Sequence, residues 1–75
     1  MPELPVLKAK VVAKALIKMG FFIDHQKGSH ARLIHKQEPW RRVTIPIHSK
    51  DLPKGTLKSI LQQASTTVGE LSKYL

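Results

Sequence analysis

The stretch FFIDHQKGSHARLIHKQEPWRRVTIPI, residues 21–47, decides the fold of this chain. Aromatic and β-branched side chains favour a strand over residues 21–25, and after a turn with glycine and serine the chain returns over residues 30–36. A second turn leads to residues 40–47, where apolar side chains alternate with other residue types. This pattern is typical of an antiparallel sheet with one packed face and one wet face, so the stretch predicts three antiparallel strands.

Helical periodicity flanks the predicted sheet on both sides. Apolar residues recur at i, i+3, i+4 and i+7 over residues 7–19 and again over about residues 53–64, after a connector. Gly20 is placed to cap the first helix. Thr67 and Glu70 occupy the reciprocal positions of a capping box, which predicts a short C-terminal helix. The predicted order, α-β-β-β-α plus that last helix, is an α+β sandwich of one sheet and one helical layer.

The composition limits what the chain can do. Its 75 residues predict one domain, residues 1–75, with a modest core, so any site should be a shallow groove or an exposed edge. A net charge of +8 favours a polyanionic partner: a nucleic acid, an acidic protein or an acidic membrane surface. The absence of cysteine excludes disulfides and thiolate metal sites. Without an apolar run of about 20 residues or a secretory leader pattern, a cytoplasmic protein is expected.

The tripeptide Gly28-Ser29-His30 places an imidazole directly after a turn. Metal-free RNA cleavage needs a base for the 2′-hydroxyl proton, an acid for the leaving 5′-oxygen and positive charge near the phosphate. Histidine suits proton transfer at neutral pH, and strand alternation places His30 and Arg32 on one face. A surface histidine beside a turn would give the same pattern. The predicted catalytic residue is His30, and the predicted RNA-binding residues are Lys27, Gly28, Ser29, Arg32, Lys50, Lys54 and Lys58.

The other histidines and the single tryptophan receive less specific predictions. His48 is a candidate second proton carrier or a connector residue, and His25 and His35 are expected to be structural or solvated. A zinc site needs four converging ligands, whereas His30 and His35 lie on opposite faces of one strand, so neither a metal nor another cofactor is expected. Trp40 is expected to cover the end of the sheet rather than to stack on a base.

Four motifs in order resemble the HicA toxins of HicAB toxin–antitoxin modules: Gly20-Phe21, residues 26–30, residues 43–48 and residues 54–61. The likeness extends from Val11 to about Leu71. It implies a double-stranded-RNA-binding-domain-like fold and ribosome-independent mRNA cleavage, with the histidine of the glycine-serine-histidine motif, here His30, as the catalytic residue. It also implies a HicB antitoxin, an acidic partner expected to cover His30. The chain departs from the family pattern where Ser65-Thr66-Thr67 replaces the glycine expected to end the second helix.

Two other classes of function stay open from the residues alone. A non-catalytic RNA-binding module of the same fold would recognise shape and phosphates and needs no ionisable group at position 30. A protein-binding domain would use its basic surface to dock an acidic protein. The lysines at positions 10, 14 and 18, spaced along the first helix, are expected to form a solvated face or such a docking surface.

Overall fold

The structure is a computed structural model that describes residues 4–48 and 50–75; residues 1–3 and Ser49, from the N-terminal stretch and the predicted connector, lie outside the described residues. Its elements are α1 (Ala9–Lys18), β1 (Phe21–Lys27), β2 (His30–His35), β3 (Arg42–Pro46), α2 (Lys54–Gln63) and α3 (Val68–Ser72). The strands form one antiparallel sheet in the order β1-β2-β3. The predicted α+β order is confirmed. In the described part of the chain, no helix has the length and apolar character needed to cross a membrane.

The core lies between the helices and one face of the sheet, which we call the inner face. Helix α1 contacts β1 and β3, and α2 contacts β3. Burying one large apolar side chain contributes about 1.5–3 kcal/mol, so this layer is the main source of stability. Its largest fully buried side chains are Phe21, Leu16, Leu33, Ile45, Leu57, Ile60, Leu71, Val12 and Val43.

Helix α1 begins at Ala9, later than the apolar periodicity predicts, because the preceding residues pair with the connector. The Leu7 carbonyl accepts a hydrogen bond from the Leu52 amide at 2.8 Å, and Lys8 forms an isolated antiparallel bridge with Asp51. These contacts hold residues 7 and 8 extended. The glycine predicted to cap the helix, Gly20, follows it with φ +111° and donates its amide to a carbonyl of the last turn.

The hairpin between β1 and β2 is tighter than the sequence predicts. Strand β1 extends to Lys27, opposite His30, which leaves only Gly28 and Ser29 in the loop. Gly28 has φ +57° and stands at the first of the two loop positions, where a type II′ turn requires glycine. Strand β3 is shorter than predicted, and Trp40 lies in the turn before it, 67% exposed.

The free edge of β3 is covered by a glutamine of α2. The Gln63 Oε1 accepts a hydrogen bond from the Thr44 amide at 3.0 Å, and the Gln63 Nε2 donates to the Ser59 hydroxyl. Every second residue of β3, counted from Thr44, points its backbone N–H and C=O away from β2. One of these residues is Pro46, which has no N–H. This edge therefore presents few donors to another strand.

Helix α2 ends in a Schellman motif built on serine instead of glycine. The Thr66 amide donates to the Leu61 carbonyl and the Ser65 amide to the Gln62 carbonyl, the two bonds that define the motif. Ser65 has φ +55°, in the left-handed region. Ser65, which stands where a glycine was expected, is thus the residue that bears the strained conformation.

Replacing Ser65 by glycine is expected to raise the free energy of unfolding by about 1 kcal/mol. A left-handed conformation costs a non-glycine residue about 1–2 kcal/mol, and glycine avoids this cost. About half of the gain is lost again, because glycine gives up more conformational freedom on folding. Urea and thermal unfolding measure the effect, which corresponds to about 4–8 °C in Tm for a domain of this size. Ser59→Gly, inside α2, is the matched control and should lower stability; a lower stability of Ser65→Gly as well would contradict the strain argument.

Helix α3 is capped by Thr67, the threonine that the capping-box pattern identifies. The Thr67 Oγ1 accepts a hydrogen bond from the Glu70 amide at 3.1 Å. The Glu70 carboxylate pairs with Lys73 at 3.3 Å. The predicted short last helix is confirmed, with Thr67 as its cap. The Glu70 side chain pairs with Lys73, one turn towards the C-terminus, and not with the Thr67 amide as a complete capping box would require.

His35, at the end of β2, joins three segments through its ring. Its Nδ1 accepts hydrogen bonds from the Gln37 and Glu38 amides at 3.2 and 3.1 Å, and its Nε2 lies 3.2 Å from the Met19 carbonyl. A nitrogen that accepts two N–H groups carries no proton, so this pattern assigns the ring proton to Nε2, which donates to Met19. Of the two roles predicted for His35, structural or solvated, the structure shows the structural one.

The same ring explains why position 20 holds glycine. A Cβ on Gly20 would lie 2.8 Å from the His35 Nε2, inside any ordinary contact distance. On another side the ring packs edge-on against Phe21, with 5.0 Å between centroids. The end of α1, the start of β1 and the turn after β2 are therefore locked around one imidazole.

Candidate functional site

The outer face of the sheet, opposite the helices, carries a cluster of basic side chains from two strands. Lys27 pairs with His30, and His25 pairs with Arg32, across the β1–β2 ladder. Directly opposed residues of an antiparallel pair project to the same side. All four residues are exposed, so they form a continuous polar surface near the hairpin loop.

These side chains surround a shallow depression of about 240 Å³. Thr44 of β3, which pairs with Arg32, lines the side of the depression that faces β3. The depression is lined by His25, Lys27, His30, Ala31, Arg32 and Thr44. It therefore brings together two imidazoles and two cationic side chains, with Ala31 and Thr44 as small neighbours.

A β-bulge in β1 puts His25 into this site. Ile23 pairs with Leu33 and His25 with Arg32, so Asp24 is an extra residue in β1. Strict alternation from Phe21, which is buried, would have turned His25 to the inner face. The bulge reverses that parity, as bulges do when they re-aim a side chain. The sequence analysis predicted a structural or solvated His25 and so missed it as a site residue; Asp24, a residue type rare in strands, was the available signal of the bulge.

The hairpin loop lies beside the depression and is tied to the end of β3. The Ile47 amide donates to the Ser29 carbonyl, which fixes the loop against the strand that leads to His48. Gly28 makes the turn that allows His30 to open β2. His48 is exposed and is not among the residues that line the depression.

The structure brings together only part of the predicted site. His30, Lys27 and Arg32 meet in the depression, and Gly28 and Ser29 form the adjacent loop. The remaining predicted RNA-binding residues are exposed on the connector and on α2, outside the lining of the depression: Lys50, Lys54 and Lys58. Their contact with RNA stays a prediction.

The charge of the depression is not neutralised locally. Within residues 4–48 and 50–75, the ion pairs join Lys8 to Asp51, Arg41 to Glu38 and Lys73 to Glu70, and none involves Lys27 or Arg32. Both cations are thus available to an anionic ligand. No three histidine, aspartate or glutamate side chains of these residues are grouped so as to hold a metal ion.

A second surface lies between α1 and β1. It is an apolar groove of about 410 Å³, where Val11, Ile17 and Ile23 are each between 41% and 48% exposed. Lys10 and Lys14 also line this groove. The groove therefore combines apolar area with positive charge on the helix that carries the predicted lysine face.

Comparison with protein families gives a match over most of the chain. A family model described as the HicA toxin of bacterial toxin–antitoxin matches residues 9–65, from the start of α1 to Ser65, the left-handed residue that follows α2. The match includes the hairpin, the bulge and every residue that lines the depression. No curated protein matches the chain.

Proposed function

Because the chain belongs to the HicA toxins of bacterial toxin–antitoxin modules, we propose that it is an mRNA endoribonuclease in which His30 transfers the proton. The observation that supports the proposal best is the position of His30, exposed, opposite Lys27 and beside Arg32 in one depression. A binding module needs the cations but not the imidazole. A nuclease needs both.

The arrangement suits cleavage through the RNA's own 2′-hydroxyl. Neutral His30 accepts the 2′-hydroxyl proton, the oxygen attacks the adjacent phosphorus, and the bond to the 5′-oxygen breaks to leave a 2′,3′-cyclic phosphate. The negative charge that accumulates on the phosphate lies between Lys27 and Arg32, which stabilise it. General-base catalysis of this kind accelerates the reaction about 10²–10⁴-fold. Such a modest acceleration is enough for a toxin that needs few cuts per message.

The antitoxin that the toxin–antitoxin family implies has two surfaces to bind. An acidic HicB-type protein would cover His30 by placing carboxylates where RNA phosphates bind, between Lys27 and Arg32. Its apolar side chains would enter the groove between α1 and β1, with its charge opposite Lys10 and Lys14. Electrostatic attraction across both surfaces would make association fast and salt-sensitive.

The test is a cleavage assay with the purified chain, a short RNA and the same RNA with a single 2′-deoxy nucleotide at the cleaved position. We expect cleavage of the first RNA in EDTA and without ribosomes, with a 2′,3′-cyclic phosphate at the new end. The deoxy position should resist, because it lacks the attacking oxygen. Cleavage that needs a metal, or that proceeds at the deoxy position, would contradict the mechanism.

Two further arms of this assay separate the other classes of function. RNA binding without cleavage would support a non-catalytic module, and RNA binding that does not weaken with salt would argue against phosphate recognition. Saturating purified antitoxin should stop cleavage, and undiminished cleavage would refute the inhibition model.

A further inference from the structure

We propose that His25 is the second proton carrier of this site and acts as the general acid that protonates the leaving 5′-oxygen. The assignment rests on the proposed nuclease function of His30. It starts from the bulge at Asp24, which turns His25 to the outer face and into the same depression as His30. Nothing in the hairpin pattern itself requires a histidine there.

The ladder register sets how far apart the backbones of the two histidines lie. His25 is opposite Arg32, and His30 precedes Arg32 by two positions on β2, so the histidines are diagonal neighbours on one face. Diagonal pairs are about 7–8 Å apart at the backbone, within reach of longer side chains. From these positions, both lining one depression, the two rings can reach the entering and the leaving oxygen of one phosphodiester, with Lys27 and Arg32 beside it.

The chemistry requires an acid, and the other groups of the depression fit that role poorly. Lysine and arginine side chains hold their protons too tightly to donate them efficiently near neutral pH. Thr44 is not an acid in this range. His48, the candidate second proton carrier predicted from the sequence, lies beyond β3 and outside the lining of the depression.

The reaction takes up one proton and gives up one. His30 starts neutral and gains the 2′-hydroxyl proton, while His25 starts protonated and gives its proton to the 5′-oxygen as that bond to phosphorus breaks. No net proton is consumed, and no oxidant, reductant or metal takes part. Exchange with solvent then restores both imidazoles for the next turnover.

A substrate whose leaving group needs no proton isolates the acid. We would compare an RNA dinucleotide with its 5′-phosphorothiolate analogue, in which sulfur replaces the leaving 5′-oxygen. Because a thiolate leaves without protonation, His25→Ala should lose about 10²–10⁴-fold on the oxygen substrate and cleave the sulfur analogue close to the parent rate. His30→Ala should be slow on both, since the base is still required. Circular dichroism and urea unfolding verify that each variant is folded.

The remaining outcomes overturn the assignment in distinguishable ways. Equal losses of His25→Ala on both substrates would make His25 a phosphate-binding residue, and no loss on either would remove it from the mechanism. If His48→Ala, rather than His25→Ala, loses only the oxygen substrate, then His48 is the acid. A fully active His30→Ala would instead refute the proposed function itself, whatever His25 does.

Discussion

Alanine in place of His30 is expected to abolish RNA cleavage and to leave the fold intact. The loss should reach about 10²–10⁴-fold, the usual contribution of a general base, and growth arrest on induction should disappear with it. His30 is exposed at the first position of β2, and its pairing with Lys27 across the hairpin uses backbone groups, which alanine retains. The free energy of unfolding should therefore change by less than about 0.5 kcal/mol.

The control for this prediction is His30→Asn, which keeps a polar side chain but cannot titrate in this range. It should be as inactive as the alanine variant if proton transfer is the role of His30. An active asparagine variant would show that position 30 only hydrogen-bonds the RNA. A folded His30→Ala protein that cuts RNA at the parent rate would remove the residue from the mechanism.

The opposite result is expected at His35, where alanine should destabilise the protein without touching the site chemistry. Truncation removes the buried His35 ring and leaves two backbone amides and the Met19 carbonyl, all partly buried, without their partner. A lost partner costs up to about 1–3 kcal/mol where water does not replace it, so we expect the free energy of unfolding to fall by about 2 kcal/mol or more. This is a large share of the total for a chain of this length, which is of the order of 4–11 kcal/mol.

Urea unfolding of the His35→Ala variant measures the loss, and Gly20→Ala gives a second test should that variant fail to fold. A Cβ at position 20 would press on the His35 ring and would strain a backbone with φ +111°, so stability should fall there as well. His25→Ala is the matched control, an exposed histidine expected to change stability by less than about 0.5 kcal/mol. Losses below 1 kcal/mol at both positions 35 and 20 would contradict the proposed anchoring role.

The sequence was sufficient to predict the elements that depend on regular periodicity. Alternation in β3 and the i, i+3, i+4, i+7 spacing in α1 and α2 report which side of each element meets the core, and the structure agrees. That His30 and Arg32 share one face of β2 follows from the same alternation. Local capping at Thr67 was predictable because the bond spans only three residues.

Features that depend on contacts distant in sequence were not predictable in this way. The His35 ring reaches a carbonyl sixteen positions away, and its partners were invisible in the pattern of β2. The late start of α1 results from pairing with residues 51 and 52. The role of His25 was missed because a β-bulge leaves no mark in a pattern of period two, yet it changes the face of every later residue of the strand.

The glutamine that covers β3 has a consequence for the stoichiometry of self-association. With the Thr44 amide occupied by Gln63 and no N–H at Pro46, the sheet can accept a further strand readily only beside β1, six of whose seven residues are exposed. A sheet with two open edges can polymerise, because each added copy offers a new edge. A sheet with one open edge can only pair with a second copy through that edge, and growth stops there. Should copies of this small basic protein pair edge to edge, Gln63 would therefore favour an assembly that ends at two chains.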